Sequence, residues 1–304
     1  MGLKIAVIGA TGFTGRHVVI ELLKRGHQVG GISRNPTRVG SHSRYVASPL
    51  DILGVSVTEF GQILARFDVV VNAYGCRHQV AAYKLYVEAT TQIISAFKYA
   101  TNKRRRLGQN CYLITIGSAG SLIIPGSEGV RAVDDEEFWT EYIRSLVQSR
   151  IQTAFFKELY PDKSDLIEIY RKAYIDAVDE EASQDQLNFM SNFEDQIVNH
   201  GHDFIRAVTA TYLFYEGNES FDWTLLSPPA LYCPGKRTGE YDVRLEDQLP
   251  LSTDDNDDSL PGISAWDLAL AVADEAERKG MKWIQWTVTG DQSDDSLAPT
   301  YPKI

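Results

Sequence analysis

Apolar positions in the first third of the chain fall into short β-branched runs, separated by stretches in which they recur every three or four residues. The runs at 3–8, 28–33, 69–73 and 111–116 predict strands, and the stretches at 15–25 and 83–100 predict helices. Strands alternating with helices in this way build a parallel sheet, covered on both faces and wound by right-handed crossovers. Ligands of such sheets bind beyond the carboxyl ends of the strands. Four loops are thereby gathered around one crevice: residues 9–15, Ser33-Arg34, Ala73-Tyr74-Gly75 and residues 117–121.

From about residue 133 to 215 strand signals vanish and apolar residues keep a helical period, as in Leu166, Ile169, Tyr170, Ala173, Tyr174 and Ala177. Sheet character returns at Trp223-Thr224-Leu225-Leu226, followed by a helix over 265–278 and a last strand over 283–288. The expected fold class is α/β, a doubly wound parallel sheet of the Rossmann type with an inserted helical subdomain. Residues 1–132 would form the dinucleotide-binding core, 133–216 a cap over the substrate side, and 217–304 the completion of the core. The aromatic side chains of the insert, among them Phe155, Phe156, Tyr160, Tyr170, Phe189 and Phe193, are first of all core material. A helical cap rich in them also predicts an apolar pocket, and hence a hydrophobic substrate, polycyclic compounds included.

Charge narrows the partners. Thirty basic residues stand against forty-one acidic ones in a chain of 304, a net charge of -11 that opposes a phosphate backbone. Nucleic acid is not expected. The cluster Lys103-Arg104-Arg105-Arg106 reads as a solvated helix end, and the loop Asp254-Asp255-Asn256-Asp257-Asp258 as a solvated acidic turn. Cys76, Cys111 and Cys233 are odd in number and widely spaced, which fits neither a disulfide framework nor a zinc site. No metal is expected. With no signal-peptide pattern and no apolar window of about 20 residues, the expectation is a soluble cytoplasmic protein without a membrane partner. A homo-oligomer is compatible with the sequence.

The opening Lys4-Ile5-Ala6-Val7-Ile8-Gly9-Ala10-Thr11-Gly12-Phe13-Thr14-Gly15 sets three glycines at a strand-to-helix junction. Gly9 permits a tight turn, Gly12 lets backbone amides approach a pyrophosphate, and Gly15 allows close helix packing, with the helix start facing the anion. The end of the second strand decides between cofactors. An acidic residue there would bind the ribose hydroxyls of NAD, whereas Ser33-Arg34-Asn35-Pro36 offers a guanidinium fork for a 2′-phosphate, with Arg38 a further cation. The predicted cofactor is NADP(H). Its expected contacts are Gly9, Thr11, Gly12, Phe13, Thr14, Gly15, Ser33, Arg34, Leu50, Ala73, Tyr74, Gly75, Ser118 and Pro228.

The glycine turn, Gly117-Ser118-Ala119-Gly120-Ser121-Leu122, Phe221-Asp222-Trp223-Thr224-Leu225-Leu226-Ser227-Pro228 and Pro234-Gly235-Lys236-Arg237-Thr238-Gly239 together resemble the atypical short-chain dehydrogenase/reductases. The likeness is to the NmrA-like or NADH-flavin-reductase-like branch, over roughly residues 3–142 and 200–290. It implies a Rossmann fold and a nicotinamide cofactor, but its members include reductases, isomerases and redox sensors. The tyrosines of the helical stretch depart from the family's Tyr-x-x-x-Lys pair: Tyr142 is followed by Leu146, Tyr160 by Ser164, Tyr170 by Tyr174.

Ser118, beyond a central strand, is the first candidate to bind a substrate oxygen. Tyr142 is the candidate proton donor by position, and His200 and His202 are candidate proton carriers. Asp134-Asp135-Glu136-Glu137 reads as a helix start rather than as catalytic acids. Cys76 and Cys233 read as small apolar residues rather than nucleophiles. Three functions remain open: an NADP(H)-dependent reductase in which Ser118 and Tyr142 polarise the acceptor, a non-redox cyclase or isomerase that retains NADP, and an NmrA-like redox-sensing binding protein.

Overall fold

The computed structural model describes residues 2–75, 82–200, 203–245, 247–252 and 260–304. In chain order its strands are β1 (Lys4–Ile8), β2 (Gln28–Ser33), β3 (Tyr45–Pro49), β4 (Val69–Asn72), β5 (Tyr112–Ile116), β6 (Asp222–Ser227), β7 (Leu231–Cys233), β8 (Asp242–Arg244), β9 (Gly262–Ser264) and β10 (Gln285–Thr289). The helices are α1 (Phe13–Lys24), α2 (Val57–Leu64), α3 (Ala82–Arg105), α4 (Glu136–Gln148), α5 (Arg150–Leu159), α6 (Ser164–Val178), α7 (Gln184–His200), α8 (Asp203–Ala210) and α9 (Ala265–Arg278).

Eight strands join in the order β3-β2-β1-β4-β5-β6-β10-β8, and β7 pairs with β9 apart from them. All neighbours in the large sheet are parallel except β8, which closes one edge antiparallel to β10. The central strands β1 and β4 read as nearly unbroken apolar runs because both faces of the sheet are covered there. In β1, Ile5 and Val7 face the core beneath α1 and α9, whereas Ala6 and Ile8 face the core beneath α2 and α3. The chain leaves β1 toward β2 on one side and returns to β4 on the other, so the order reverses at β1. That reversal opens the crevice at the carboxyl ends of the strands.

The predicted strands and helices are present, two of them with the same bounds and the others with ends shifted by up to five residues; the last strand begins at Gln285, since Trp283 holds a positive φ of 61°. Of the basic cluster, Arg104 departs from the solvated reading. It is 8% exposed, donates to the Asn110 carbonyl and pairs with Asp68 at 2.8 Å, tying the end of α3 to the start of β4. The acids at 134–137 do start a helix: Asp135 accepts from the Phe138 amide at 2.7 Å, and Glu136 and Glu137 lie in the first turn of α4.

Helices α4 to α7 enclose a core of their own, with Phe138, Trp139, Leu146, Ile167, Tyr170 and Phe193 buried in it. A fork from Arg144 to Glu194, at 2.8 and 3.0 Å, and the Tyr170 hydroxyl on the same carboxylate bind α4, α6 and α7 together. The last part of the helical stretch behaves differently. α8 lies on α3, and Tyr212 and Tyr215 fill the sheet core rather than the cap.

Asp267 anchors the far side. It is fully buried in the first turn of α9 and accepts from the Thr238 and Gly239 amides at 3.1 and 2.9 Å and from the Ser264 and Thr238 hydroxyls. Replacing it by alanine removes a buried carboxylate that accepts from two amides and two hydroxyls, so Asp267→Ala is expected to cost about 3 kcal/mol of unfolding free energy. Urea melts of the two proteins measure this, and a loss under about 1 kcal/mol refutes the anchoring role.

Candidate cofactor and substrate site

The glycine turn is shaped by contacts that leave no room for side chains. Gly9 has a φ of +77°, and a Cβ there would lie 2.3 Å from the Ala73 carbonyl oxygen at the end of β4. A Cβ on Gly15 would lie 2.2 Å from the Gly9 oxygen, so α1 can only start this close to β1 with glycine at that position. Gly12 differs. It is exposed, with extended backbone, and its Cβ would meet one protein atom only, at 3.2 Å. It is the residue that keeps the face of the turn open. The first turn of α1 has no side-chain cap and no acidic residue, so its amides are left for an anion.

Ser33 follows on β2, and its hydroxyl is buried without a hydrogen-bond partner. Arg34 and Arg38 are exposed beside it, and among the described residues neither forms an ion pair. Leu50, after β3, donates its amide to the Ser33 carbonyl at 2.9 Å, which sets the loop after β3 beside the loop after β2. An orphaned buried hydroxyl, uncapped helix amides and guanidinium groups without carboxylates fit a phosphorylated dinucleotide.

Toward the centre of the sheet, Ala73 bonds Ile8 through its amide, and Asn72 accepts from the Tyr74 amide at 3.1 Å. Gly75 is exposed just beyond them. Beneath this loop the fully buried Tyr215 hydroxyl joins Thr115 at 2.9 Å and hydrogen-bonds Asn72; burial pushes its pKa up to about 12. Tyr215 thus fixes the ends of β4 and β5 against each other. Pro228 is buried at the end of β6.

Ser118 sits just past β5, two strand spacings or about 10 Å from β1 along the sheet. Its hydroxyl lies 3.2 Å from that of Thr209 on α8. The loop is clamped there: a Cβ on Gly120 would strike Ile205, Thr209 and Val133 within 3.0 Å. Below, Ser121, Ser227 and Gln285 form a buried polar chain, with Ser121 also bonding the Ser118 carbonyl at 2.7 Å.

Tyr142 belongs to the cap. Its ring lies against Phe138 and Trp139, with centroids at 6.2 and 5.9 Å, and burial followed by the charge of nearby Cys233 pushes its hydroxyl up to about 12. No described contact joins it to Ser118. Cys233 is 1% exposed, and burial raises its thiol to about 12 as well, which suits an apolar filler. Cys76, His202 and the acidic loop at 254–258 lie outside the described residues, as does the side chain of His200.

The turn's own side chains reach the cap. Phe13 packs on Phe155 of α5 at 4.6 Å and on Tyr232 of β7 at 5.0 Å, and the Tyr232 hydroxyl bonds that of Thr14 at 3.0 Å. His17, fully buried, holds the Phe13 carbonyl at 2.8 Å through Nδ1; burial lowers its pKa to about 4, so the ring is neutral and Nδ1 carries the proton. Thr14 and Phe13 therefore spend their side chains on protein contacts, and what they offer a ligand is backbone. Several aromatic residues of the insert are likewise engaged in protein contacts. Tyr170 and Phe193 are buried in the cap core, and Phe156 stacks on Tyr160 at 4.6 Å with both rings half-buried.

Several residues at the site gave no signal in sequence. Thr209 and Tyr215 lie about 90 and 100 positions from their partners Ser118 and Thr115, and periodicity does not pair residues so far apart. Arg16 directly follows Gly15, but a helix-start reading treats it as one more polar surface position.

The family model described as NAD(P)H-binding matches residues 9–107. Uncharacterized protein YwnB of Bacillus subtilis is 28% identical over 291 residues, 95% of this chain and 99% of its own length. Among solved structures, a protein of Streptococcus pneumoniae with a proposed NADH-flavin reductase activity superposes with a TM-score of 0.59 at 19% identity, over 95% of this chain and 100% of that one. A short-chain dehydrogenase/reductase (wide type) from Veillonella parvula, in complex with NADP, gives 0.52 at 11% identity, over 98% and 99%. The Rossmann-type fold read from the sequence is the fold of these proteins. Among the described residues no helix is long and apolar enough to cross a membrane, and no cluster of three or more His, Cys, Asp and Glu is placed to hold a metal ion.

Proposed function

We propose, from the premise that residues 9–107 form an NAD(P)H-binding domain on a fold of the atypical short-chain dehydrogenase/reductase kind, that this protein is an NADP(H)-dependent reductase of a small organic acceptor. The observation that carries the reading is the open, uncapped glycine turn beside Ser33 and Arg34, on the same edge of the sheet as the Ser118 loop. Residues 9–15 hold the pyrophosphate by backbone amides and the start of α1. Ser33 and Arg34 hold the adenosine phosphate. When bound, the reduced nicotinamide supplies a hydride to the acceptor.

Ser118 is assigned the acceptor oxygen or nitrogen. Its hydroxyl can accept from Thr209 while donating to the substrate, and the clamped loop fixes its direction before the substrate arrives. Tyr142 is assigned to packing. A phenol at about 12, with no lysine among the described residues lowering that value, is a weak proton donor near neutral pH. The substrate class is set by the loops at the crevice rather than by the aromatic interior of the cap, so the reading includes flavin, quinone, enone and imine acceptors of modest size.

Purified protein incubated with NADPH and such acceptors is expected to oxidise the cofactor in step with product, and cofactor deuterated at the nicotinamide is expected to pass its label to product. Product without cofactor oxidation overturns the reductase reading in favour of a non-redox enzyme. In the same assay Ser118→Ala is expected to lower turnover by about 30-fold while NADPH affinity stays within about threefold, as for loss of one oriented donor. Tyr142→Phe is expected to stay within about threefold of the parent turnover. A large loss with Tyr142→Phe and none with Ser118→Ala reverses the two assignments.

A further inference from the structure

Arg16 is a cation in an unusual setting. It is 8% exposed, and its guanidinium donates only to backbone carbonyls: Thr11 at 3.0 Å, and Tyr301 and Pro302 at 3.4 Å each. The Tyr301 ring lies 5.4 Å from it. Among the described residues no carboxylate pairs with it. Arg38 is the nearby like charge, and Arg16 is held below the usual guanidinium value by burial first and also by that repulsion. A largely buried cation facing a second cation is costly unless an anion completes the group.

What holds Arg16 there is a strap from the far end of the chain. The Ile304 amide donates to the Val39 carbonyl at 2.9 Å, beside Arg38, so residues 301–304 bridge α1 to the loop after β2. Further back the strap is fastened to the cap. The Thr300 hydroxyl donates to Glu158 near the end of α5, and Asp295 accepts from the Ser149 hydroxyl and the Arg150 and Ile151 amides at its start. The strap therefore runs beside the helix whose Phe155 rests on Phe13 of the glycine turn.

We propose that Arg16 is a specificity-determining residue for the 2′-phosphate of NADP(H), completing a cluster with Arg34, Arg38 and the Ser33 hydroxyl, and that residues 295–304 position it. This rests on the NADP(H) preference in the reading above and adds to it a residue and a positioning element. A phosphate monoester is the anion that fits. It carries nearly two charges near neutral pH and presents three acceptor oxygens, enough for several guanidinium groups and a hydroxyl at once. The carbonyls of Tyr301 and Pro302 take up donors on one side of Arg16 and so aim its remaining N–H groups.

The test is fluorescence titration of the full chain with NADPH and with NADH, with thermal melts to confirm that each variant is folded. Arg16→Met is expected to weaken NADPH by about 30-fold and NADH by less than about threefold. Arg16→Lys, which keeps charge but not the fork, is expected to fall between Arg16→Met and the parent and serves should Arg16→Met not fold. The strap variant Asp295→Asn with Thr300→Val is expected to weaken NADPH by about threefold to tenfold and to spare NADH. Should the parent prefer NADPH and Arg16→Met and Arg16→Lys keep the same ratio of affinities, the assignment of Arg16 is wrong while the cofactor reading stands. Should the strap variant bind both cofactors like the parent, the positioning role is wrong. A parent with no NADPH preference overturns the cofactor reading itself.

Discussion

Gly15→Val is expected to abolish cofactor binding and to lower stability, the largest effect of any single change at the site. The added Cβ would stand 2.2 Å from the Gly9 oxygen and 2.8 Å from its carbonyl carbon, both backbone atoms of the turn itself. Neither can swing aside as a side-chain tip would. To relieve the clash α1 must move off β1, which breaks the turn and disturbs the packing of Val18, Val19 and Leu22 against the sheet. Overpacking of this kind costs about 3 kcal/mol. Because the amides of the turn and the start of α1 move together, the affinity for NADPH is expected to fall by more than about 100-fold. Gly12→Ala separates the two consequences. Its backbone is already extended, at φ -73° and ψ 172°, and its Cβ has one protein neighbour at 3.2 Å. That variant is expected to melt near the parent temperature and still lose about tenfold in affinity, since the methyl would occupy the open face of the turn. Thermal melts and NADPH titrations read both. Tight binding by Gly15→Val, or by Gly12→Ala, removes the turn from the cofactor site.

Arg34→Glu is expected to reverse the choice of cofactor. Arg34 is exposed at the end of β2 and has no carboxylate partner among the described residues, so its removal costs the fold little. A glutamate in its place repels a 2′-phosphate and can accept hydrogen bonds from free ribose hydroxyls, the arrangement that selects NAD. NADPH affinity is expected to fall by about 100-fold and NADH affinity to hold or rise. Raising the ionic strength should weaken NADPH binding by the parent and leave the variant with NADH almost unchanged, because only the former depends on opposed charges near the surface. An unchanged preference in Arg34→Glu places the adenosine phosphate elsewhere.

The chain's elements differ in how far their own residues announce them. β1, β4, β5 and β6 are dominated by apolar residues that alternate between the cores on the two faces of the sheet, so each is visible without its neighbours. β3 is an edge strand with Val46 65% exposed and Pro49 at its end, and its residues show no such run. α2 has only eight residues and carries Gly61 inside, too short and too weak a helix for periodicity to reveal. β7 and β9 have three residues each and exist only because they pair with each other across about thirty positions. The helical insert was legible as helices, yet its division was not. α8 sits on α3 since Ala207 and Val208 contact Tyr86 and Tyr74, a relation that spans over a hundred residues.

At the site the same division holds. The glycine turn, the absence of an acid after β2, Ser118 beyond a central strand and the lack of a lysine four residues after Tyr142 can be read from the chain alone, because each is a local pattern whose chemistry needs only neighbours along it. The tertiary structure decided which side chains stand beside them. It alone brought Thr209 to Ser118, Tyr215 to Thr115, Tyr232 to Thr14 and the carbonyls of Tyr301 and Pro302 to Arg16. These contacts join residues from 91 to 286 positions apart. A hydrogen bond or a buried ring depends on where two segments meet in space, and hydrophobic periodicity fixes which face of each segment is buried without fixing what it is buried against.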